Sequence, residues 1–247
     1  MKIAIISDIH GNTLALDAVL KDIEKEKCDK VFCLGDLAMA GAEPDKTIDK
    51  IKDLQNDNFL VIQGNTDEMI ANFDKIPPAT FLDDSFPMIN ALKSDMEIIS
   101  DSHIHFLKNL DKQKIVDVNG LKILLVHGSP RKNNEDISPD LPLEKVEEII
   151  KDTDADIIFC GHTHLPCGYQ TNTNQTVINA GSVGRSLTSN AQSCYALLTI
   201  HNDKSFEAEH KFIKYDNEKA AQMLKERGYK GADKIAALLI NPTSRHG

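Results

Sequence analysis

The sequence predicts an α/β fold, because short apolar runs alternate with stretches of helical spacing along most of its 247 residues. The first apolar run covers residues 3–7. Over residues 14–23, apolar side chains then recur at helical spacing, with Asn12 or Thr13 as the helix cap. This first unit predicts a strand, a turn and a helix. Because the unit repeats along the chain, we expect a largely parallel sheet.

The later elements follow the same logic in chain order. Further runs have the length and apolar content of strands: residues 31–34, 59–62, 121–126, 156–160, 176–179, 195–200 and 206–213. Helical spacing recurs over residues 47–54, 143–150 and 217–227. In the last two runs, apolar residues alternate with polar ones, and this pattern predicts an antiparallel hairpin with its turn at residues 202–204.

Residues 73–114 interrupt this rhythm with prolines such as Pro77 and Pro78 and with helical stretches. We interpret this segment as a helical insertion or cap. The chain contains no internal repeat, low-complexity tract or linker, so we expect a single domain over residues 1–240. The tail, residues 241–247, is expected to be frayed.

The composition restricts the classes of partner. The 28 Lys and Arg residues against 38 Asp and Glu give a formal net charge of −10, which repels nucleic-acid backbones and anionic membranes. The five cysteines form no Cys-x-x-Cys pair, so neither a disulfide framework nor a zinc knuckle is indicated and a cytoplasmic location is expected. The sequence shows neither a signal peptide nor a membrane span.

Five of the predicted strands end in residues that can bind a metal. The side chains are Asp8, His10, Asp36, Asn65, His127, His162 and His164. Because the carboxyl ends of strands in an open α/β sheet share one crevice, we expect these side chains to converge. Imidazole, carboxylate and amide ligands suit Mn, Fe, Zn, Ni or Co. The set suits two ions about 3.5 to 4 Å apart if one carboxylate bridges them, an arrangement used for displacement at phosphorus.

Each motif taken alone also has a structural interpretation. Asp or Gly-Asp after a strand is common in turns and helix caps, and two histidines around Thr163 fit a surface loop. The conjunction favours metal binding, because core packing does not place ligand-type residues at five separate strand ends. The other histidines lack this context, and we expect structural or solvated roles for them: His103, His105, His201, His210 and His246.

The order and spacing of these residues resemble the five motifs of the calcineurin-like metallophosphoesterases, in particular the small bacterial and archaeal phosphodiesterase branch. The matching segments are Asp8-Ile9-His10, Gly35-Asp36, Gly64-Asn65-Thr66-Asp67, His127-Gly128 and Gly161-His162-Thr163-His164. The segment from Asn179 to Gly184 and the following hairpin resemble the end of the domain in that branch. The resemblance covers roughly the whole chain and implies a four-layer α/β/β/α sandwich.

The resemblance also implies the role of each ligand. Asp8, His10 and His164 would hold one divalent ion, and Asn65, His127 and His162 would hold the other. Asp36 would bridge the two ions. A hydroxide that bridges the ions would attack phosphorus opposite the leaving oxygen.

One position departs from the family pattern. Many members carry a His where this chain has Thr66, and that His stabilises or protonates the leaving group, a contribution of about 10²- to 10⁴-fold for a general acid. Asp67 stays beside the site, as a catalytic residue that orients a water or ligand or as a helix cap. Asn12 is a substrate contact or a cap, Thr66 is a further candidate substrate contact, and Arg185 is a phosphate contact or a solvated loop residue.

The resemblance implies a metal-dependent phosphoric ester hydrolase, and we expect a phosphodiesterase that acts on a small phosphorylated substrate. The alternatives within the enzyme class are hydrolysis of dinucleoside polyphosphates and of phosphomonoesters. A non-catalytic metal-binding scaffold is the alternative of another class, disfavoured because all seven ligand positions are filled. A nuclease is disfavoured by the negative charge and by the lack of a basic patch with interleaved aromatic residues. The insertion or the hairpin edge could pair chains into a homo-oligomer.

Overall fold

Two mixed β-sheets of five strands each form the centre of the protein, whose residues 1–243 are described by a computed structural model. The strands are β1 (Lys2–Ile6), β2 (Lys30–Cys33), β3 (Phe59–Val61), β4 (Gln113–Val118), β5 (Leu121–Val126), β6 (Ile157–Cys160), β7 (Cys167–Gln170), β8 (Thr176–Asn179), β9 (Ser193–Ile200) and β10 (Phe206–Ile213). The first sheet has the order β10-β9-β1-β2-β3, and the second has the order β4-β5-β6-β8-β7.

Parallel pairing joins three neighbouring strands in each sheet. Strands β1, β2 and β3 are parallel, as are β5, β6 and β8. The other pairs are antiparallel: β9 pairs with both β1 and β10, β4 pairs with β5, and β7 pairs with β8, whereas the edge strand β3 has a parallel neighbour. The expectation of a largely parallel sheet is therefore wrong, because the chain divides its strands between two sheets and adds antiparallel strands at the edges.

Helices cover both sheets. They are α1 (Thr13–Glu26), α2 (Pro44–Leu54), α3 (Asn65–Ala71), α4 (Pro87–Met96), α5 (Asp101–Lys108), α6 (Leu143–Ile150), α7 (Asn217–Glu226) and α8 (Ala232–Ile240). Side chains cap the starts of α1 and α7: the Asn12 side chain accepts a hydrogen bond from Ala15 N at 3.1 Å, and Asp216 accepts one from Lys219 N at 2.9 Å. Among residues 1–243, no helix is both long enough and apolar enough to cross a bilayer.

The alternation of side chains along β1 defines the layers. Ile3 and Ile5 lie in the apolar core between the two sheets, whereas Ala4 and Ile6 pack with the buried face of α1. On the far side, α6 packs on the outer face of the second sheet through Val146 and its neighbours. The predicted four-layer α/β/β/α sandwich is confirmed.

Elements with a strong apolar pattern have the predicted bounds. The helix over residues 143–150 and the strands over residues 176–179 and 206–213 are confirmed without change. The hairpin of β9 and β10 is antiparallel as predicted.

Elements with a weak pattern were not predicted. Strand β4 begins inside the predicted insertion, 73–114, and it lacks an apolar run because alternate residues face solvent at the sheet edge. Strand β7 is an edge strand of the same kind. Helix α3 is short, and α8 follows the helix that was predicted to be last. Of the predicted frayed tail, residues 244–247, which include His246, lie outside the described residues.

Candidate metal centre

The metal-ligand candidates meet at one edge of the sandwich, where the parallel strands of both sheets end. The structure brings together all seven predicted ligands: Asp8, His10, Asp36, Asn65, His127, His162 and His164. Two contacts join the sheets directly. His10 Nε2 lies 3.0 Å from His164 Nε2, and His127 Nε2 lies 3.0 Å from Asn65 Oδ1.

Two overlapping groups of side chains have the spacing needed to hold a metal ion. One contains Asp8, His10 and His164, and the other contains Asp8, Asp36 and His127. In the first group, Asp8 Oδ1 lies 3.2 Å from His164 Nε2 and 3.7 Å from His10 Nε2. In the second, Asp36 Oδ2 lies 3.4 Å from His127 Nε2, and the same oxygen lies 3.7 Å from His10 Nε2. Both carboxylates therefore lie between the two sets of histidines.

His162 completes the cluster at its outer side. Its ring centroid lies 5.4 Å from that of His127, and its Nε2 lies 3.4 Å from an oxygen of Asp136. Asp136 is half-exposed and was not predicted as a site residue. It lies in a polar loop whose sequence gives no signal for a role at the site.

Backbone carbonyls orient three of the imidazoles. His10 Nδ1 lies 3.0 Å from Met39 O, His127 Nδ1 lies 2.8 Å from Leu34 O, and His164 Nδ1 lies 2.6 Å from Arg185 O. A carbonyl can only accept, so Nδ1 carries the proton in each ring. The lone pair of Nε2 is thereby directed into the cluster, which is how proteins present histidine to a metal.

In each of the two carboxylates, one oxygen accepts a hydrogen bond from a backbone N–H group, and the other oxygen faces the histidines. His162 N donates to Asp8 Oδ2 at 2.9 Å, and Thr66 N donates to Asp36 Oδ1 at 2.8 Å. Asp8 Oδ1 is buried and has no hydrogen-bond partner within residues 1–243. A buried carboxylate oxygen without a donor is costly unless a cation compensates it.

The backbone is strained at the same residues. Asp8, His10, Asp36, His162 and His164 all have positive φ, between 48° and 66°. Left-handed conformations are uncommon for residues other than glycine and concentrate at functional sites. The tight turns also demand glycine: a Cβ on Gly161 would lie 2.1 Å from Ser7 Oγ and 2.6 Å from Asp8 Oδ2.

The electrostatics of the cluster favour positive charge. Burial by itself raises the pKa of Asp8, but the charges of His164 and His127 outweigh it and hold that pKa well below its ordinary value. Burial lowers the pKa of His127, whereas Asp36 and Asp8 together raise it to about 9. Burial, and next the Arg185 guanidinium, lower the pKa of His10 to about 4. The two buried carboxylates therefore favour positive charge at the centre of the cluster.

These features fit a divalent metal centre. The set offers Nε2 lone pairs, two inward carboxylate oxygens and the Asn65 amide oxygen, without a thiolate. Asp8 Oδ1, which accepts no hydrogen bond within residues 1–243, lies among these atoms. Borderline divalent ions prefer this mixture of nitrogen and oxygen ligands.

The remaining predicted site residues have other contacts. The Asn12 amide caps α1 and donates to Gly184 O at 2.8 Å, which corresponds to the structural alternative for this residue. Within the described residues, the Asp67 carboxylate accepts hydrogen bonds from the backbone N–H groups of Asp36, Leu37 and Gly64. The bond from Gly64 is the one expected of a helix cap. Thr66 is buried, and its hydroxyl donates to Ala38 O at 3.1 Å.

Arg185 lies beside the cluster. Its carbonyl orients His164, and its guanidinium contacts Met88 Sδ of α4 at 3.6 Å. The guanidinium is near enough to His10 to lower the pKa of that residue. Among the predicted substrate contacts, Arg185 is thus the one that brings a positive charge close to the candidate metal ligands.

Sequence reasoning did not identify Asn179 as a residue that shapes the site. Its fully buried amide donates to Gly161 O at 2.7 Å and to Thr163 Oγ1 at 3.0 Å, so it holds the turn that carries His162 and His164. The signal was present in the sequence, because a polar residue closes the apolar run of residues 176–179.

Fold and site together define an α/β/β/α protein with a buried histidine and carboxylate cluster of the kind that holds divalent metals. The sequence profile of the calcineurin-like phosphoesterase superfamily domain matches residues 1–203. The chain belongs to this superfamily.

Individual proteins resemble this chain in sequence or in fold over nearly the whole length. An uncharacterised protein of Methanocaldococcus jannaschii is 29% identical over 240 residues, which cover 90% of this chain and 91% of the relative. A hypothetical protein from Pyrococcus horikoshii superposes with a TM-score of 0.86 at 22% identity, covering 98% of this chain and 99% of the other. A metallophosphoesterase from Sphaerobacter thermophilus superposes with a TM-score of 0.76 at 22% identity, covering 98% of both chains.

Proposed function

We propose that the protein is a phosphodiesterase that depends on two divalent metal ions and hydrolyses a small phosphorylated substrate in the cytoplasm. The observation that carries the proposal is the unpaired, buried Asp8 Oδ1 among histidines whose Nδ1 atoms are fixed by backbone carbonyls. The metal ions can be Mn, Fe, Zn, Ni or Co, since the ligand set accepts each of them.

The chain's own residues have distinct tasks in this proposal. Asp8, His10 and His164 would hold one ion, Asn65, His127 and His162 would hold the other, and the Asp36 carboxylate would serve both. When bound, such ions lower the pKa of water and offset the charge that develops at phosphorus. Arg185 binds a phosphate oxygen of the substrate, and the buried walls of the cluster limit access of bulk water.

Thr66 bears on the choice of leaving group. Its hydroxyl is directed to Ala38 O, so the position supplies no acid to the substrate. A leaving group that is stable as an anion needs no such acid, whereas an alkoxide does. This favours aryl esters and phosphoanhydrides, and hydrolysis of dinucleoside polyphosphates is the second candidate function for the same reason.

The decisive experiment combines metal content with activity. Purified protein is analysed for metals, and hydrolysis of bis(p-nitrophenyl) phosphate and p-nitrophenyl phosphate is measured with added manganese and after chelation. We expect two ions per chain, faster hydrolysis of the diester, and loss of activity on chelation. Protein that binds metal but hydrolyses neither compound would be a metal-binding scaffold, and protein that binds no metal would contradict the proposal.

A further inference from the structure

A groove of about 840 Å³ opens beside the metal centre, and Asn65 lies at their junction. Four cationic side chains line it: Lys75, Lys112, Arg131 and Lys132. Glu68 is the acidic residue among its lining residues. The sign of these four side chains is opposite to the net charge of −10 of the whole chain.

One wall of the groove is a loop that is rigidly joined to the strand end of His127. Within this loop, Ser129 Oγ accepts hydrogen bonds from the backbone N–H groups of Arg131 and Lys132, both at 3.1 Å. The Arg131 guanidinium forms a bidentate ion pair with Glu135. A Cβ on Gly128 would lie 2.7 Å from Asn133 O, so the loop packs directly against the residue after His127. The backbone that presents Lys132 is therefore preorganised next to a metal ligand.

The opposite wall is the exposed face of α3 and the segment after it. Glu68 contacts Lys112 at 2.5 Å and Asn133 at 3.4 Å, so it connects both walls and neutralises one lysine. Lys75 donates to Asn72 Oδ1 at 2.7 Å and keeps its charge without a carboxylate partner in that contact. Met69 and Ile76 give this wall an apolar surface. Lys75 and Lys132 form no ion pair in these contacts, although Glu135, the partner of Arg131, also acts on the charge of Lys132.

From this arrangement we infer that the groove binds a second phosphate group of the substrate, one that is not cleaved. The natural substrate is then a small molecule with at least two phosphate groups, of which the one nearer Asn65 reacts. This inference rests on the proposed phosphoesterase function. The size of the groove suits a nucleotide or a molecule of similar size. No aromatic residue is among its lining residues, so it lacks the stacking platform that a single-stranded nucleic acid would need.

The test compares two chromogenic substrates that differ by one remote phosphate: the p-nitrophenyl ester of thymidine 5′-phosphate and the same ester with a 3′-phosphate. For the wild-type holoenzyme we expect the 3′-phosphate to lower KM and to raise kcat/KM by about 3- to 10-fold, the range of one charge-assisted contact in a partly exposed groove. The preference should shrink as the salt concentration rises. In Lys75→Gln/Lys132→Gln, we expect the ratio of the two kcat/KM values to fall towards one.

Lys46→Gln is the matched control, because Lys46 is an exposed lysine on α2 that lies outside the groove. We expect it to leave both kcat/KM values unchanged. If the wild-type enzyme hydrolyses both esters with equal kcat/KM, or if the double variant keeps the full preference, the groove does not bind a phosphate. Cleavage of a single-stranded oligonucleotide in preference to both esters would also overturn the inference. If neither ester is hydrolysed by the metal-loaded protein, the proposed function itself fails, so the two failures are distinguishable.

Discussion

The carboxylate of Asp67 fixes the backbone of Asp36: its Oδ2 accepts the N–H of Asp36 at 2.8 Å. The same oxygen accepts the N–H of Gly64 at 2.9 Å, and Oδ1 accepts the N–H of Leu37 at 2.9 Å. Asp36 has a φ of 54°, which is unfavourable without such support. Burial, and next the charge of Asp36, raise the pKa of Asp67 to about 7. Ionised Asp67 is therefore less favourable in the folded protein than in water. We therefore expect Asp67 to act as a positioning residue for Asp36, one of the proposed metal ligands.

We expect Asp67→Asn to weaken manganese binding by about 10- to 100-fold, the range for partners that orient metal ligands. The amide has one acceptor oxygen in place of two, and its NH₂ group would face backbone donors. Isothermal titration with manganese measures the affinity, and circular dichroism checks the fold. Asp45→Asn, in the first turn of α2, is the control. Unchanged manganese affinity in Asp67→Asn would contradict the positioning role.

The convergence of the ligands was predictable because it follows from topology. Asp8, Asp36 and Asn65 follow three parallel strands of one sheet, and His127 and His162 follow two parallel strands of the other. Parallel strands direct their carboxyl ends to one edge, so short motifs separated by many residues meet there. The hydrophobic pattern that locates the strands thus also locates the site.

Other features were not predictable because they depend on contacts between distant segments. The groove combines Lys75, Lys112 and Lys132, whose proximity no local pattern reveals. The exposed edge strand β4 carries too few apolar residues to be recognised. The roles of Asp67 and Asn179 depend on which backbone groups fold against them. From sequence alone, an Asp or Asn that caps a turn cannot be distinguished from one that positions a metal-binding side chain.

Asp36→Asn should abolish hydrolysis and release at least one metal ion per chain. Its inward Oδ2 lies 3.4 Å from His127 Nε2 and 3.7 Å from His10 Nε2, so it contacts both sets of ligands. An amide lacks the negative charge that offsets two cations. Elemental analysis after gel filtration counts the ions, and bis(p-nitrophenyl) phosphate reports activity. Full activity with two ions per chain would show that Asp36 does not bridge.

Metal loading should raise the melting temperature. Ions that bind only the folded state contribute about 2.7 kcal/mol at a hundredfold excess over Kd, which corresponds to roughly 5 to 10 °C for a chain of this size. Differential scanning calorimetry with manganese and with a chelator measures the shift. Asp36→Asn should show a smaller shift than the wild type, and an identical melting temperature with and without manganese would argue against a metal centre.

Thr66→His should change the ratio of phosphomonoester to phosphodiester hydrolysis. The backbone N–H of residue 66 still donates to Asp36, whereas the new imidazole can act as an acid that the threonine hydroxyl, bound to Ala38 O, does not provide. We expect the larger gain for esters with poor leaving groups, up to about 100-fold. The ratio is measured from pH 6 to 9 beside Thr66→Val, which supplies no acid. If both variants keep the wild-type ratio at every pH, position 66 does not influence the leaving group.

His210 should make folding stability depend on pH independently of the metal ligands. Its Nε2 donates to Asn179 O at 2.7 Å, and burial lowers its pKa. The neutral ring is therefore favoured in the folded state, while the unfolded chain binds a proton near pH 6.5. The resulting stabilisation is present above that pH and is lost as the pH falls through the folded-state pKa.

Gln at this position can still donate to Asn179 O but does not titrate, so the wild type should lose more stability than His210→Gln between pH 8 and 5. Urea unfolding with a chelator present measures both proteins, and His201→Gln, at a half-exposed ring, is the control. Parallel stability curves for wild type and His210→Gln would show that the buried ring does not contribute.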